Sequence, residues 1–526
     1  MFSLKVIFIA IVATVFYAEP ADALRILGIF PLAGRSHFIP AAQLLKGLAA
    51  KGHKVDVVSH FPQSKPLPNY TDISLKGTLR IATNNMTYND TRQFNSFSMY
   101  QFTYMTGVEV CGLLGQPVFE KLLKTPKGTY DLIILELFAA NCYIPFGQHL
   151  GAPVVAMVVS KMHDWLYGPF GVPFNTAYTP SLFSSFDQRM TFLQRLQNTA
   201  VSSIIVAQIN YYMENQKIFV EKYFNRKVAS IMDLYDEVSI VLLNSHHSLY
   251  DIIPTPPAVI EVGGLHVHDD QQELSPEIKK WLDESKDGCV YFTFGSMVRI
   301  ETYPAATLEI FYEMFKKIAP VRVLLKITDP KLLPPGLPKN VMISPWLPQV
   351  AILKHKNTKA FITHGGLMGT QESLAYGVPM VGLPIFGDQY TNLQVYEKRK
   401  IAVVLKHEDI TAESLTKAVT TVLNDPNYRD NIKRLSKLFL DRPMSAMDTA
   451  IFWVEYTARN GNILQSPATK LSWWQYYLID VYGFILLCIA AVLYITKCLI
   501  KFLYRLICSR KSSQNKTPVA KSKKNK

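Results

Sequence analysis

Two histidines follow predicted strands, where an imidazole can do chemistry. The first, His37, comes six residues after Pro31, the last residue of the first strand predicted for the mature chain. An imidazole titrates near neutral pH, so at the mouth of a cleft it could act as a general base. A structural histidine at the start of a helix is the alternative that this residue type leaves open.

The second histidine opens a glycine turn, His364-Gly365-Gly366, between an apolar segment and a predicted helix. Glycines let the backbone come close to a ligand, and the free N–H groups at a helix start suit a diphosphate. His364 could hydrogen-bond to phosphate oxygens from the same turn. Taken alone, the turn favours a purely structural role.

The elements that must position these histidines alternate between strands and helices. Strands are predicted at 24–31, 55–59, 290–294, 321–327, 360–363 and 378–383, and helices at 36–50 and 308–318. This alternation predicts an α/β fold of two doubly wound Rossmann-like domains. Ligands bind beyond the carboxyl ends of the strands in such sheets, so a substrate spanning both domains would lie in the cleft between them.

A Pro-rich stretch at 253–262, followed by Gly263-Gly264, has the composition of an interdomain linker. We therefore predict an N-terminal domain at 24–255 and a C-terminal domain at 256–470. No internal repeat is detectable.

The two ends of the chain predict entry into the secretory pathway and a membrane anchor. Residues 1–23 carry Lys5, an apolar run and a small-x-small ending, which is typical of a signal peptide. A first strand or an anchor is the alternative for this segment. Residues 477–500 predict one transmembrane helix, preceded by aromatic residues and followed by a basic cytosolic tail at 501–526.

The net charge of +14 is concentrated at the C-terminal end. Ten Lys or Arg and no acidic residue lie at 497–526, so subtracting these ten from +14 leaves about +4 elsewhere. The basic residues are thus typical of a tail near anionic lipid, and no nucleic-acid partner is predicted. The last four residues, Lys523-Lys524-Asn525-Lys526, match a retrieval pattern for the endoplasmic reticulum, or a chance cluster of lysines.

Glycosylation sequons and cysteines complete the lumenal prediction. Asn69, Asn85 and Asn89 each begin an Asn-x-Thr sequon. Of six cysteines, Cys488, Cys498 and Cys508 lie in or beyond the predicted span. The other three, Cys111, Cys142 and Cys289, have no paired spacing, so neither a disulfide framework nor a zinc site is predicted.

The stretch 346–394 is the most specific part of the sequence. It contains Trp346-Leu347-Pro348-Gln349, the His364 turn and Asp388-Gln389-Tyr390-Thr391-Asn392. This string resembles the signature of family-one UDP-glycosyltransferases, which include animal UDP-glucuronosyltransferases and insect UDP-glucosyltransferases. The resemblance also covers the signal peptide, residues 262–266 and 294–297, and the membrane anchor. It implies a GT-B fold, with an acceptor-binding N-terminal domain and a UDP-sugar-binding C-terminal domain.

The resemblance assigns roles to individual residues. Trp346 would stack on uracil, Gln349 would bond the nucleoside, and Glu372 would accept hydrogen bonds from the ribose. Asp388 could instead serve only as a helix N-cap. The rest of the implied UDP-sugar site is Ser296, Lys326 and His364 at the phosphates, Gly365, Gly366 and Gly369 in the backbone, and Asp388 and Gln389 at the sugar hydroxyls.

The resemblance also makes His37 the general base. Its partner would be Glu136, at the end of the strand 130–136, where vertebrate relatives have Asp. A carboxylate on one imidazole nitrogen fixes the tautomer and stabilises the imidazolium. The implied reaction is one in-line displacement that inverts the sugar, with the leaving UDP stabilised by the helix start, His364 and Ser296. The chain has no Asp-x-Asp pair, so neither a metal nor another cofactor is expected.

Departures from the vertebrate pattern bear on the donor. Met368 replaces an Asn, Lys326 replaces an Arg, and Ile253 stands where relatives often have an Arg. A uronate carboxylate needs a nearby cation, and these changes supply none. We therefore expect UDP-glucose as the donor, with UDP-glucuronate as the alternative, and small lipophilic acceptors with hydroxyl groups, as in detoxification or hormone and pigment conjugation. The enzyme would be a type I protein of the endoplasmic reticulum membrane, with its catalytic domains in the lumen.

Two other function classes were compared with this prediction. A non-catalytic carrier of lipophilic molecules would fit the aromatic N-terminal half, but the presence of both His37 and Glu136 argues against it. A dinucleotide oxidoreductase would need a Gly-x-Gly-x-x-Gly turn after the first strand, which is absent. The acceptor's identity cannot be read from the sequence, and homo-oligomerisation is possible.

Overall fold

The computed structural model describes residues 23–81, 83–94, 98–250, 252–267 and 273–514. The predicted retrieval pattern and nearly all of the predicted signal peptide lie outside these residues. The chain forms two compact units, which divide between Ser466 and Pro467. Each unit is described by itself.

The first unit contains two parallel β-sheets, as the alternating apolar runs predict. The seven-stranded sheet has the order β3-β2-β1-β4-β5-β6-β7, and the six-stranded sheet has the order β10-β9-β8-β11-β12-β13. Both are doubly wound, with a switch point beside the first strand of each sheet. The strands are β1 Arg25–Phe30, β2 Lys54–Ser59, β3 Tyr70–Ser74, β4 Leu132–Glu136, β5 Val154–Val158, β6 Val238–Leu243, β7 Val259–Glu261, β8 Cys289–Thr293, β9 Arg322–Lys326, β10 Val341–Ser344, β11 Thr358–Thr363, β12 Met380–Gly382 and β13 Ala402–Val404.

The connections between the strands are mostly helical. A π-helical turn, Tyr104–Val108, separates two short helices of the first half. The α-helices are α1 Arg35–Ala50, α2 Tyr88–Phe94, α3 Met99–Thr103, α4 Glu109–Gly112, α5 Pro117–Leu123, α6 Phe146–Leu150, α7 Phe192–Met213, α8 Lys217–Phe224, α9 Pro276–Asp283, α10 Ala305–Lys317, α11 Gln349–Lys354, α12 Leu367–Ala375, α13 Gln389–Lys398, α14 Ala412–Asn424, α15 Pro426–Leu440, α16 Ala446–Asn460, α17 Trp473–Tyr476 and α18 Ile479–Gln514.

Helices cover both faces of each sheet, which explains why the central strands are continuously apolar. Along β1, Ile26 and Phe30 pack on one face, whereas Leu27 and Ile29 pack on the other. The second sheet is sandwiched in the same way, and every residue of β8 is buried. Because each sheet is packed on both faces, the carboxyl ends of its strands are held in place. The candidate site residues lie at those ends.

Strand β7, which precedes the second sheet in the chain, and helix α16, which follows it, both pack with the first sheet. Strand β7 pairs with β6 of the first sheet, beyond the boundary predicted at residue 255. Helix α16 then packs on α1, where a Cβ at Gly47 would lie 2.8 Å from Met447 Sδ. His53 Nε2 and Glu455 Oε1 lie 3.1 Å apart in the same contact. Two segments from beyond residue 255 therefore complete the first sheet's layers, while the domain limits themselves stay a prediction.

A short segment of the first half is bound to the second half. The backbone N–H of Asn84 donates to the Ser296 carbonyl at 2.8 Å, and that of Met86 donates to the Met297 carbonyl at 3.1 Å. The Met86 side chain is buried in the core of the second sheet. The two halves are thus joined beside the loop that follows β8.

The prediction that the lumenal cysteines form no disulfide is wrong. Cys111 and Cys142 are disulfide-bonded, and both are fully buried. The bond links α4 to the loop that follows β4. Their separation of 31 residues matches no familiar spacing, because the pairing depends on how this helix packs on the loop.

The second unit is dominated by α18. Its segment Ile479–Cys508 is long and apolar enough to cross a membrane, and its side chains are exposed. The helix begins two residues after the predicted start at 477 and continues past 500, where no Pro or Gly interrupts it up to residue 514.

Candidate active site

The first strand and its neighbour bring His37 to Glu136. In the register of β1 and β4, Ile29 pairs with Leu135, so Glu136 lies beside the carboxyl end of β1. Helix α1 begins at Arg35 and holds His37 in its first turn. His37 Nδ1 and Glu136 Oε1 are 2.6 Å apart, so the predicted contact is present.

The surroundings of His37 favour its protonated form. Burial disfavours the charge, but the Glu136 carboxylate outweighs this through its charge and hydrogen bond, and Asp388 adds to it, so the pKa of His37 is raised. With Nδ1–H donated to Glu136, Nε2 is left to accept a proton from outside. The His37 side chain is 26% exposed, so the imidazole is only partly covered.

Asp388 comes from the second half of the unit. It occupies the N-cap position of α13 but makes no side-chain cap hydrogen bond. Its carboxylate instead accepts a hydrogen bond from Asn392 Nδ2 at 2.8 Å. Burial raises the pKa of Asp388, while Asn392 and His37 oppose that rise. The Asp388 side chain therefore does not cap α13, which was the alternative left open by the sequence.

The glycine turn lies at the switch point of the second sheet. Thr293 of β8 pairs with Thr363 of β11, and a glycine with positive φ follows each strand: Gly295 at 76° and Gly365 at 87°. A Cβ at Gly366 would lie 2.8 Å from His364 Nε2, so only glycine leaves room for this imidazole. Gly366 is the N-cap of α12. Because glycine has no side chain that could accept from the first N–H groups of the helix, these groups are left for an anion.

The predicted phosphate-binding residues converge on this turn. Burial, followed by the charge of Lys326, lowers the pKa of His364 to about 4, so the ring is neutral at pH 7. Lys326 Nζ donates to Asn84 Oδ1 at 2.5 Å and to the Gly295 carbonyl at 2.7 Å. Ser296 is half-buried and adjoins the same loop. Asn84 of the first half therefore accepts from one of the three N–H donors of Lys326, the cation predicted to bind phosphate.

The predicted nucleoside residues form a connected group. Gln349 Nε2 donates to Glu372 Oε2 at 2.6 Å, and Gln349 Oε1 accepts from the Tyr291 hydroxyl at 3.1 Å. A Cβ at Gly369 would lie 2.9 Å from Gln349 Nε2, which explains glycine there. Burial raises the pKa of Glu372 to about 7. Trp346 precedes Gln349 by three residues, is 41% exposed, and has the Lys326 ammonium 5.6 Å from its ring centroid.

Gln389 has a structural contact that the sequence did not predict. Its Oε1 accepts hydrogen bonds from the backbone N–H groups of Ile385 and Phe386, at 2.9 and 3.0 Å. The residue is buried. Only its Nε2 is left to donate to a sugar hydroxyl.

Four further residues near the base were not predicted. Arg35 lies over the Trp346 ring, with its Cζ 5.3 Å from the ring centroid. The Phe138 ring packs 4.6 Å from His37 and 5.6 Å from His163, and Phe102 packs edge-on against Phe138. Burial, then the charges of His37 and Lys161, lowers the pKa of His163 to about 3. Of these four residues, only Arg35 could have been proposed from the sequence, because it is a cation two residues before His37.

The sequons differ in accessibility. Asn69 and Asn89 are exposed. Asn85 is half-buried, and its Nδ2 donates to the Ile81 carbonyl at 2.6 Å. Glycosylation stays a prediction. The described part of the chain holds no group of three His, Cys, Asp or Glu side chains suited to a metal ion.

Comparisons with known proteins agree with this geometry. Residues 30–514 match the family described as UDP-glucoronosyl and UDP-glucosyl transferase. UDP-glucosyltransferase 2 of Dactylopius coccus is 35% identical over 500 residues, which are 94% of this chain and 96% of that protein. UDP-glucuronosyltransferase 1A9 of Homo sapiens is 30% identical over 525 residues, covering 95% of this chain and 96% of that protein.

A solved structure, Phytolacca americana UGT2 complexed with UDP-2fluoro-glucose and pterostilbene, is similar with a TM-score of 0.54. It is 15% identical and covers 83% of this chain and 100% of that one, so the likeness shows the fold alone. The two Rossmann-type sheets are those of a GT-B glycosyltransferase. The chain belongs to the UDP-glucuronosyl and UDP-glucosyl transferase family and is a UDP-glycosyltransferase.

Proposed function

We propose that this enzyme transfers glucose from UDP-glucose to a hydroxyl group of small lipophilic acceptors, with inversion at the anomeric carbon. The observation that carries the proposal is the 2.6 Å contact between His37 Nδ1 and Glu136 Oε1, close to Asp388 of the other half. This arrangement combines a general base, its orienting carboxylate and a group that can bind a sugar hydroxyl.

The chemistry is one displacement. His37 Nε2 takes the proton of the acceptor hydroxyl as the acceptor oxygen attacks the anomeric carbon, and the bond from that carbon to the UDP oxygen breaks. Glu136 stabilises the imidazolium that forms. The leaving diphosphate is held at the N-terminus of α12, by Lys326 and by a hydrogen bond from neutral His364.

Two observations favour glucose over glucuronate. Met368, Lys326 and Ile253, where the chain departs from the vertebrate pattern, supply no added cation for a uronate carboxylate. A relative at 35% identity is named UDP-glucosyltransferase 2. UDP-glucuronate remains the alternative donor, because other relatives are named UDP-glucuronosyltransferases.

The side chains around the base favour an apolar, ring-containing acceptor. Phe138 packs against His37, and Phe102 packs against Phe138, so an acceptor near Nε2 meets aromatic surface. Such a surface suits phenols or steroids. It would also suit a non-catalytic carrier, but a carrier has no use for a hydrogen-bonded His–Glu pair.

We place the catalytic unit in the lumen of the endoplasmic reticulum. The Cys111–Cys142 disulfide supports this, since such bonds persist in oxidising compartments. The predicted signal peptide, the apolar helix and the basic tail support a type I anchor. Protease protection of the catalytic unit in intact microsomes, lost when detergent is added, is the expected result.

The test of the proposed function uses microsomes that contain the wild type or His37→Ala. Each is supplied with UDP-glucose or UDP-glucuronate and a panel of phenols and steroids. Glucoside formation by the wild type, reduced about 10²- to 10⁴-fold in the variant, is the expected result. Glucuronide formation alone would overturn the donor assignment, and a His37→Ala variant as active as the wild type would overturn the assignment of the base.

A further inference from the structure

Two cations from opposite halves of the unit converge on one indole ring. Arg35, the first residue of α1, has its Cζ 5.3 Å from the centroid of Trp346. Lys326, the last residue of β9, has its Nζ 5.6 Å from the same centroid. Trp346 follows β10 in the second sheet, so this ring receives positive charge across the cleft.

Arg35 differs from two other arginines that stack on rings. Arg25 lies over Tyr130 and is paired with Asp56 at 3.3 Å. Arg322 lies over Trp281 and is paired with Glu284, also at 3.3 Å. Arg35 has no hydrogen bond or ion pair within the described residues, and its buried Nε has no acceptor. A guanidinium has five N–H donors and no acceptor, so the buried Nε–H of Arg35 is left free to donate to a ligand oxygen.

The position of Arg35 in its helix is unfavourable on its own. It stands at the N-terminus of α1, where the helix dipole is positive, and the first turn contains no acidic residue. Burial lowers the pKa of the Arg35 guanidinium. Burial also lowers the pKa of Lys326 to about 8, with Arg35 adding to the effect and Glu301 opposing it. A bound anion would relieve the mutual repulsion of the two cations and favour both charged forms.

We infer that Arg35 and Lys326 form one anion subsite, which takes the diphosphate of the UDP-sugar. The inference rests on the proposed function and adds a binding residue from the acceptor-side half. The diphosphate fits better than a sugar carboxylate, because Trp346 belongs to the nucleoside end and Lys326 adjoins the His364 turn. The planar guanidinium can bind two phosphate oxygens while it stays stacked on the indole.

The test measures nucleotide binding rather than turnover. Full-length wild type, Arg35→Gln and Arg35→Lys, each in detergent micelles, are titrated with UDP, UDP-glucose and UDP-glucuronate. Arg25→Gln is the matched control, since it removes a stacked arginine from the other end of β1. We expect Arg35→Gln to bind all three ligands about 10- to 100-fold more weakly and Arg35→Lys to bind with intermediate affinity. Arg25→Gln should match the wild type.

The ligands separate the possible outcomes. An unchanged affinity for UDP in a folded Arg35→Gln variant, with normal binding by the wild type, would overturn the subsite alone. A loss confined to UDP-glucuronate would move the anion to the uronate carboxylate and overturn the diphosphate assignment. If the wild type bound none of the three nucleotides, the proposed function would fail and the subsite with it. Should Arg35→Gln fail to fold, the comparison of Arg35→Lys with the wild type decides.

Discussion

His37 and Asp388 come from opposite halves of the catalytic unit, yet each affects the other's pKa. The carboxylate favours the imidazolium, and the imidazolium favours the carboxylate. The residue proposed to bind the sugar and the proposed base are therefore coupled before any substrate is bound. This coupling requires the two halves to hold His37 and Asp388 near each other.

Replacement of Asp388 by Asn should shift the pH dependence of kcat. The carboxylate helps to raise the pKa of His37, so its removal lowers that pKa. The base form then appears at lower pH, and the acid limb of the profile should move in the same direction. Asp187→Asn is the control, because Asp187 is an exposed carboxylate paired with Lys398. An acid limb unchanged in Asp388→Asn would contradict the coupling.

Glu136→Gln should reduce kcat about 10²- to 10⁴-fold, since the imidazolium formed in the reaction loses its counter-charge. It should also move the acid limb to lower pH, for the same reason as above. Glu136→Asp keeps the charge with a shorter reach and should be less severe. Steady-state kinetics with saturating donor make the measurement. A larger loss in Glu136→Asp than in Glu136→Gln would show that side-chain length, rather than charge, limits the dyad.

Donor affinity should depend on pH near 7 through Glu372. Burial raises the pKa of this carboxyl to about 7. Below that pH it is protonated and loses one of its acceptor positions for ribose hydroxyls, so UDP should bind more weakly as the pH falls. Glu372→Gln should bind UDP roughly 10- to 100-fold more weakly and without this dependence. Calorimetry in buffers of different ionisation enthalpy should show proton release on binding to the wild type, and its absence at pH 6.5 would count against the role.

Removal of the Cys111–Cys142 disulfide should lower the free energy of unfolding by about 3–4 kcal/mol, from the chain entropy of the closed loop. The double variant Cys111→Ala/Cys142→Ala should therefore unfold at lower denaturant concentration. Cys289→Ala, which removes a buried cysteine outside the bond, is the control. Labelling of Cys111 and Cys142 by a thiol reagent in the denatured, non-reduced wild type would disprove the bond.

The strands and helices of both sheets could be predicted because buried parallel strands are continuous apolar runs. The helix predicted at 36–50 is observed as Arg35–Ala50, and the strand predicted at 290–294 as Cys289–Thr293. The disulfide could not be predicted, since it depends on α4 packing against the loop after β4. From the sequence, Arg35 would be interpreted as a solvent-exposed charge. Its contact with the Trp346 ring appears only in the folded structure.

The assignment of β7 and α16 to the first sheet also needs three-dimensional information. Their sequences are compatible with packing on either sheet, because the pattern of an apolar strand or an amphipathic helix does not specify which sheet it packs on. The electrostatic coupling of His37 and Asp388 has the same origin. Local pattern predicts the elements and their strand-end residues, whereas contacts between distant segments follow from packing.

The return of α16 to α1 has a consequence for biosynthesis. Helix α1 begins at residue 35, but the helix that covers part of it ends at residue 460. The first core therefore stays partly uncovered while the ribosome makes the whole second half. Ala41, Leu45 and Leu48 of α1 belong to the same core as Ile451 and Val454 of α16. The apolar face of α1 in a nascent chain is thus left without its α16 partner until almost all of the catalytic unit has been synthesised.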